Sequence, residues 1–359
     1  MKKDAKEFLF DLLGTPSPTG FEAPGQRVWS GYVKKFADAV ESDSYGTAWA
    51  TVRGAGKKPR SVMLEAHADE IGYIVKFITD EGFIHIDRAG GSDSATGRGR
   101  RLHILGDKGE VTGIIGNTAI HIRENRDDEK VPKIHELYVD VGATSKKDVA
   151  ELGIRVGHPA VYLDSAEEFA NGRLVGRALD NRIGGFIIAQ VVERLSKRKK
   201  RPAFDTVAVN AVQEEIGGHG AAMVSYRLMP DLAICLDVTH ATDTPGIKKE
   251  IHGDVKLGGG PSITHGTANH PELVRRLMEV AEKEEIPLQH ESSSRYSGTD
   301  TDSIFTTRQG IPSALVSLPL RYMHSVVELV DLADVEKVID LLEAFVLSLK
   351  ASDDFSVKL

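Results

Sequence analysis

The stretch Thr206-Val-Ala-Val-Asn-Ala-Val-Gln-Glu-Glu-Ile-Gly-Gly-His-Gly220 constrains this chain more than any other: an apolar, β-branched run halts at two adjacent carboxylates and then a glycine cluster. Such a run reads as a buried strand delivering acids to its C-terminal end. In open α/β sheets the strand C-termini line the ligand crevice, and side chains alternate faces along a strand. Glu214 and Glu215 are therefore expected to diverge, one able to bind a metal and the other to move a proton. An isolated Glu-Glu pair is also what an ordinary solvated strand end looks like, so the decision falls to the rest of the chain.

A second strand end of the same kind lies earlier. Ser61-Val-Met-Leu-Glu-Ala-His-Ala-Asp-Glu70 begins apolar and finishes on His67, Asp69 and Glu70, with His67 and Asp69 two apart and so on one face. Before it come two amphipathic helical patterns, around Phe8 to Leu13 and Val28 to Phe36, separated by Thr15-Pro-Ser-Pro-Thr-Gly20. From about Ile71 to Asp164 the character changes to short alternating runs broken by glycine turns, with one helical stretch at Lys146 to Leu152. This predicts a small all-β, barrel-like module inserted at 71–164 between the parts of a larger domain, 1–70 plus 165–359. After Ser165 strands and helices alternate. Helices are expected at Ile183 to Leu195, Gly218 to Leu228, Pro271 to Glu284, Thr299 to Thr307 and Leu332 to Leu349. Strands are expected at Leu232 to Asp237 and Ala314 to Leu318. The fold class is α/β, a mixed sheet sandwiched between helices.

The 359 residues suit about two domains. A formal charge of -8 argues against a nucleic-acid partner, and the basic run Lys197 to Arg201, ending a helical pattern before Pro202, reads as a solvated helix C-terminus. Asp4, Lys6, Glu7 and Asp11 interrupt any secretion signal, and no apolar stretch approaches a membrane span, so no membrane partner is expected. The single cysteine, Cys235, sits in an apolar run as a small core residue. These features together predict a cytoplasmic protein. His85, His103, His121 and His135 are scattered through separate strands of the β-rich segment and read as core or surface histidines, and Gly258-Gly-Gly260 as a pocket edge or a plain turn.

His67, Asp69, Asp180, Glu214, Glu215, Asp237 and His324 all fall at strand ends or strand-helix junctions. Singly, each has an ordinary alternative as a helix cap or a satisfied polar terminator. Collected at one sheet edge, five carboxylates would repel, and bound dications are the usual way to hold such a set together.

The motifs His67-Ala-Asp69-Glu70-Ile-Gly, Ala178-Leu-Asp180-Asn-Arg, Val212-Gln-Glu-Glu-Ile-Gly, Leu236-Asp237-Val-Thr-His and Arg321-Tyr-Met-His324 resemble, in order, those of the dinuclear metal aminopeptidases related to glutamyl aminopeptidase, which form tetrahedral particles. The resemblance spans nearly the whole chain. It implies a zinc-peptidase-like catalytic domain, with the β-rich insertion used for subunit contacts and substrate access. It also implies His67 and Asp237 in one metal site, Glu215 and His324 in a second, and Asp180 bridging both. Glu214 is left as general base, with Asp69 behind His67 as the carboxylate that orients it. Imidazole and carboxylate ligands without a thiolate suit Zn²⁺, with Co²⁺ or Mn²⁺ as substitutes. The implied reaction removes one N-terminal residue from a short peptide by a water activated between two metals, with Glu214 passing its proton to the leaving amine. The implied assembly is a homo-oligomer, a dodecamer or failing that a dimer.

Two places depart from the family pattern. His219 stands in Ile-Gly-Gly-His-Gly-Ala, and Ser297-Gly-Thr-Asp-Thr-Asp302 carries an extra acid, so no side-chain preference transfers directly. Two other readings compete: a glycoside hydrolase, because some relatives carry an endoglucanase label and two carboxylates can cleave a glycosidic bond, and a catalytically inactive oligomeric scaffold. Two Trp and 6% aromatics give little platform for a sugar polymer, and no ligand or base of the motif set is missing.

Overall fold

A computed structural model describes residues 1–57, 59–123 and 130–359. Four parallel strands, Asp205–Ala211, Ser61–His67, Leu232–His240 and Ser313–Leu320, lie side by side in that order at the centre of an eight-stranded mixed sheet. Antiparallel strands Ala48–Val52 and Ala39–Ser42 extend one edge, and Ser262–His265 and Gln289–Ser292 the other. Because the central strands are parallel, their C-terminal ends share one edge of the sheet. Strand order doubles back around Ser61–His67, the topology that opens a crevice at the carboxyl ends.

Each central strand is apolar on both faces. Val62, Leu64 and Ala66 turn to one core with Ala208, Ile234 and Val316, whereas Met63, Val207, Val209 and Cys235 turn to the other with Trp49. The first core is covered by the helices Lys3–Gly14, Ala23–Val33, Leu179–Ser196, Pro271–Lys283 and Leu332–Ser348, and the second by His219–Leu228 and the short Thr301–Ile304. Leu179–Ser196 is buried almost all round, against sheet and helices alike, its charged residues included. Phe186 on this helix is fully buried beside Phe8, and its truncation to Ala would cost about 3–5 kcal/mol. Asp331 caps the last helix by accepting the Ala333 N–H at 2.8 Å.

Strands between Gly72 and Tyr162 form a closed antiparallel barrel around Tyr73, Val75, Ile86, Leu102, Ile104 and Val139. Closure leaves no open edge. A three-stranded sheet, Glu167–Phe169, Arg173–Gly176 and Glu328–Asp331, ties the return from the barrel to the segment before the last helix.

Two expectations need correction. Thr299 to Thr307 is helical only at Thr301–Ile304, because Asp302 turns back to accept the N–H groups of Ser297 and Gly298. His121 and His135 lie in 3₁₀ turns rather than strands. The basic run is the exposed end of the Leu179–Ser196 helix, as expected, and its side chains also form ion pairs: Lys197 with Glu193, Arg198 with Glu343 at 2.7 Å and Arg201 with Asp38 at 2.7 Å. The Gly258-Gly-Gly260 loop is a turn clamped by Asp334, which accepts the N–H groups of Gly258 and Gly260.

Candidate metal centre

The four central strands bring the predicted polar groups to one cavity of about 740 Å³, lined by His67, Asp180, Glu214, Glu215, Asp237 and His324 among others. His67 closes its strand, Asp237 lies within the next, and His324 follows the strand Ser313–Leu320 by four residues. Asp180 stands at the entry to the Leu179–Ser196 helix, where it and Asn181 depart from helical dihedrals and turn the carboxylate into the cavity.

Donor atoms gather in two groups, His67 with Asp180 and Asp237, and Asp180 with Glu215 and His324, each within 4.8 Å of one another. Asp180 belongs to both. Its Oδ1 lies 3.2 Å from His67 Nε2 and its Oδ2 3.3 Å from His324 Nε2. Asp237 Oδ1 is 3.7 Å from His67 Nε2, and Glu215 Oε2 is 3.6 Å from His324 Nε2. Glu214 is in neither group, although its Oε2 comes within 3.9 Å of His67 Nε2.

Glu214 and Glu215 do diverge, but not by strand alternation. The strand ends at Ala211, and Gln213 adopts a left-handed φ of 60° that starts a turn. Asp69 then fixes the turn, accepting the N–H of Glu214 at 3.0 Å and that of Glu215 at 3.1 Å. Asp69 too lies beyond its strand rather than on it. Its Oδ1 is 3.4 Å from His67 Nδ1, and Thr19 Oγ1 donates to its Oδ2 at 2.6 Å.

Burial and crowding set the charges. Burial pushes the Glu214 carboxyl up to about 8, with Asp300, Asp180 and Asp69 adding to the rise against the pull of His67. Burial also lifts Glu215 and Asp237 well above the carboxylate range, with the Asp180 charge adding to both. Asp180 is the exception: burial raises it, but hydrogen bonds to His324 and His67 win and hold it below its ordinary value. His67 is correspondingly held well above the ordinary imidazole value, burial being outweighed by Asp180 and Asp69. A buried site in which most acids resist ionisation lacks positive charge. Glu215 Oε1 is walled off from solvent and has no donor among the described residues. Imidazole nitrogens and carboxylate oxygens in two overlapping sets, one oxygen still unmet, fit divalent cations.

Several groups around the cavity were not assigned from sequence. Glu328 accepts the N–H of His324 at 2.9 Å and that of Asp180 at 3.1 Å, and so holds the backbones that carry the second group. Its signal was a lone acid inside the apolar run Val326 to Val330. Glu70, noted only as part of its strand end, pairs with Arg177 and accepts the Ser17 N–H at 2.8 Å, tying that strand end to the approach of the Asp180 helix. Glu65 and Asp300 are buried acids on the Cys235 side of the sheet, both raised chiefly by burial. Gly91, at the end of a barrel strand, lies so close to His324 that a Cβ would sit 2.3 Å from its Nδ1. Among the described residues His85, His103, His121 and His135 join no such group, and His103 instead pairs with Glu110 at 3.0 Å. Cys235 is buried and unpaired.

The family model described as M42 glutamyl aminopeptidase matches residues 46–341. The lysyl aminopeptidase of Pyrococcus furiosus is 34% identical over 350 residues, 97% of this chain and 98% of that protein. Aminopeptidase APDkam598 of the archaeon Desulfurococcus kamchatkensis superposes with a TM-score of 0.90 at 32% identity, covering 97% of this chain and 96% of that one. The TET1 peptidase of Pyrococcus horikoshii, which can assemble into a tetrahedron or a large octahedral shell, superposes with a TM-score of 0.85 at 28% identity, covering 96% and 100%. With the motif residues gathered in one cavity and this likeness running the length of the fold, the chain belongs to the M42 glutamyl aminopeptidase family of metal-dependent aminopeptidases.

Proposed function

We propose that this chain removes single residues from the N-terminus of short peptides, with His67, Asp180 and Asp237 holding one divalent ion and Asp180, Glu215 and His324 a second. Glu214 is the general base. The observation that carries this reading is the split of Asp180, one oxygen toward each histidine, with Glu214 beside both groups and a member of neither. The imidazole and carboxylate donors suit Zn²⁺, with Co²⁺ or Mn²⁺ as substitutes. Bound there, such ions supply Lewis acidity toward a carbonyl and acidify water.

The protein's own groups do the rest. Glu214 accepts a proton from water and returns it to the departing amine, a role served by a carboxylate whose affinity for protons burial has raised. Asp69 aims Glu214 through its backbone and His67 through its ring. Glu328 holds the Asp180 and His324 backbones. The surrounding acids receive the substrate's free α-amino group, so that terminus orients the peptide.

We assign residues 71–164 to an inserted unit and the remainder to the catalytic domain. The insertion exposes Phe77, Ile114, Ile120, Ile122, Val131 and Val156, apolar side chains that a subunit contact would cover. This supports homo-oligomerisation, a dodecamer or at least a dimer, which light scattering decides. Among the described residues no helix is long and apolar enough to cross a membrane, and a reducing cytoplasm suits the lone thiol of Cys235. A glycosidase reading gains nothing from the cavity, whose lining among the described residues holds no Trp, Tyr or Phe.

The test compares free and N-acetylated peptides with the Zn²⁺-loaded protein. Acetylation is expected to lower the rate by orders of magnitude, on the order of 10²-fold or more, through lost positioning. Equal cleavage of blocked and free peptides would reject the exopeptidase reading.

A further inference from the structure

We infer that Glu22 is a positioning residue for the proposed base: from the start of the Ala23–Val33 helix its carboxyl holds Gln213 in the left-handed conformation that aims Glu214. The inference rests on the peptidase reading for the task of Glu214, and adds what holds the backbone that carries it.

Glu22 stands one residue before its helix, where a capping side chain would turn to the N–H groups of the first turn, yet it makes no such bond. Its Oε1 instead accepts the N–H of Gly20 at 2.7 Å and, across 191 residues of sequence, that of Gln213 at 3.2 Å. The side chain is buried, and burial lifts its carboxyl to about 7, the Gly20 and Gln213 N–H groups pulling the other way and the Asp69 charge adding to the rise. An acid kept buried at that cost to its ionisation is explained by the N–H groups it meets. Protonated or ionised, Oε1 remains an acceptor.

Gln213 is a residue that needs holding. Its φ of 60° lies in the left-handed region, which costs a residue with a side chain free energy that its surroundings must offset. The φ and ψ of Gln213 are set by how the planar peptides on its two sides are turned. Glu22 accepts the N–H of the peptide before it and Asp69 that of the peptide after it, so the two carboxyl groups together define the turn. Without Glu22 the first of those planes is free to rotate, and Glu214 moves with it.

The support is itself anchored. Thr19, three residues before Glu22, donates to Asp69 at 2.6 Å, and Ser17 Oγ donates to the Glu22 carbonyl at 3.3 Å. One turn into the helix, Gln26 Nε2 donates to the Asn210 carbonyl at 2.7 Å and Gln26 Oε1 accepts from Asn210 Nδ2 at 3.0 Å. Asn210 lies on the strand Asp205–Ala211 that leads into the turn, so the helix start is fixed to that strand before Glu22 reaches Gln213.

The experiment combines crystal structures of the wild type and Glu22 variants with metal content, kcat and KM on a panel of short peptides with free N-termini. Glu22→Ala is expected to bind both metals as the wild type does, with KM within about threefold, and to lose kcat about 10- to 100-fold, because the base is misplaced rather than removed. In its structure Gln213 is expected to leave the left-handed region and the Glu214 carboxyl to shift. Glu22→Gln keeps the acceptor oxygen and is expected to stay within about threefold of wild-type kcat, whereas Glu22→Asp keeps the charge, falls a methylene short and is expected to lose kcat as Ala does. The order of Gln above Asp decides the matter even where Glu22→Ala does not fold. Gln213 still left-handed with Glu214 unmoved in Glu22→Ala, an unchanged kcat, or Asp outperforming Gln would overturn the inference while leaving the peptidase reading intact. A turn displaced in Glu22→Ala and restored in Glu22→Gln, in a protein whose wild type cleaves no peptide, would uphold the hold on the turn and reject the peptidase reading instead.

Discussion

Asp69 accepts the backbone N–H of Glu214 at 3.0 Å, so a carboxylate beyond the end of one strand fixes the turn beyond the end of its neighbour. The same carboxylate lies 3.4 Å from His67 Nδ1 and stays ionised despite complete burial, because His67, Thr19 and the Glu214 N–H outweigh the desolvation. One group therefore sets both the proposed base and a proposed ligand. Replacing it by an amide keeps the shape but removes charge and one acceptor. Asp69→Asn is expected to lower kcat and the affinity for metal, each about 10- to 100-fold, with circular dichroism unchanged. Steady-state kinetics and metal titration check both.

Gly91 marks where the barrel end meets the centre. A Cβ there would fall 2.3 Å from His324 Nδ1, so the ring would have to turn away, while Glu328 keeps the His324 backbone from moving with it. Gly91→Ala is expected to displace the imidazole and leave about one tightly bound metal equivalent of two, with the His67 group retained. Elemental analysis after dialysis measures it. Two equivalents held as in the wild type would separate Gly91 from the second group.

Much of this is legible in the sequence, and the reasons are local. Several apolar runs stopping at acids point together to strand ends, so residue order places His67 at the end of its strand and Glu214 and Glu215 just past theirs, whereas Asp237, expected to end its strand, lies within the longer Leu232–His240. The means by which Glu214 and Glu215 part is not legible there, since it depends on a left-handed Gln213 and on the distant Asp69. Gln289-His-Glu-Ser292 has no apolar alternation because it is an edge strand, which hides it in the sequence. Glu328 is a lone acid whose partners are backbone groups, which leave no residue-type signature.

The charges predict proton release on metal loading. Without metal, burial and mutual repulsion raise Glu214 to about 8 and lift Glu215 and Asp237, and His67 is raised by Asp180 and Asp69. Near neutral pH these groups hold protons that a cation must displace, so apparent affinity rises with pH until the raised groups have titrated. Calorimetry at pH 7 in buffers of different ionisation enthalpy is expected to show an observed enthalpy that varies with the buffer. A buffer-independent enthalpy, with affinity flat from pH 6 to about 8, would contradict the charge assignment.

The central claim is the division of labour between adjacent residues, Glu215 as ligand and Glu214 as base. Glu214→Gln and Glu215→Gln are nearly isosteric, so metal content and turnover measured on both separate the roles. Glu214→Gln is expected to keep both metals and lose activity by about 10²- to 10⁴-fold, whereas Glu215→Gln is expected to weaken one metal site. A Glu214→Gln protein with two metals and near-wild-type turnover would contradict the account.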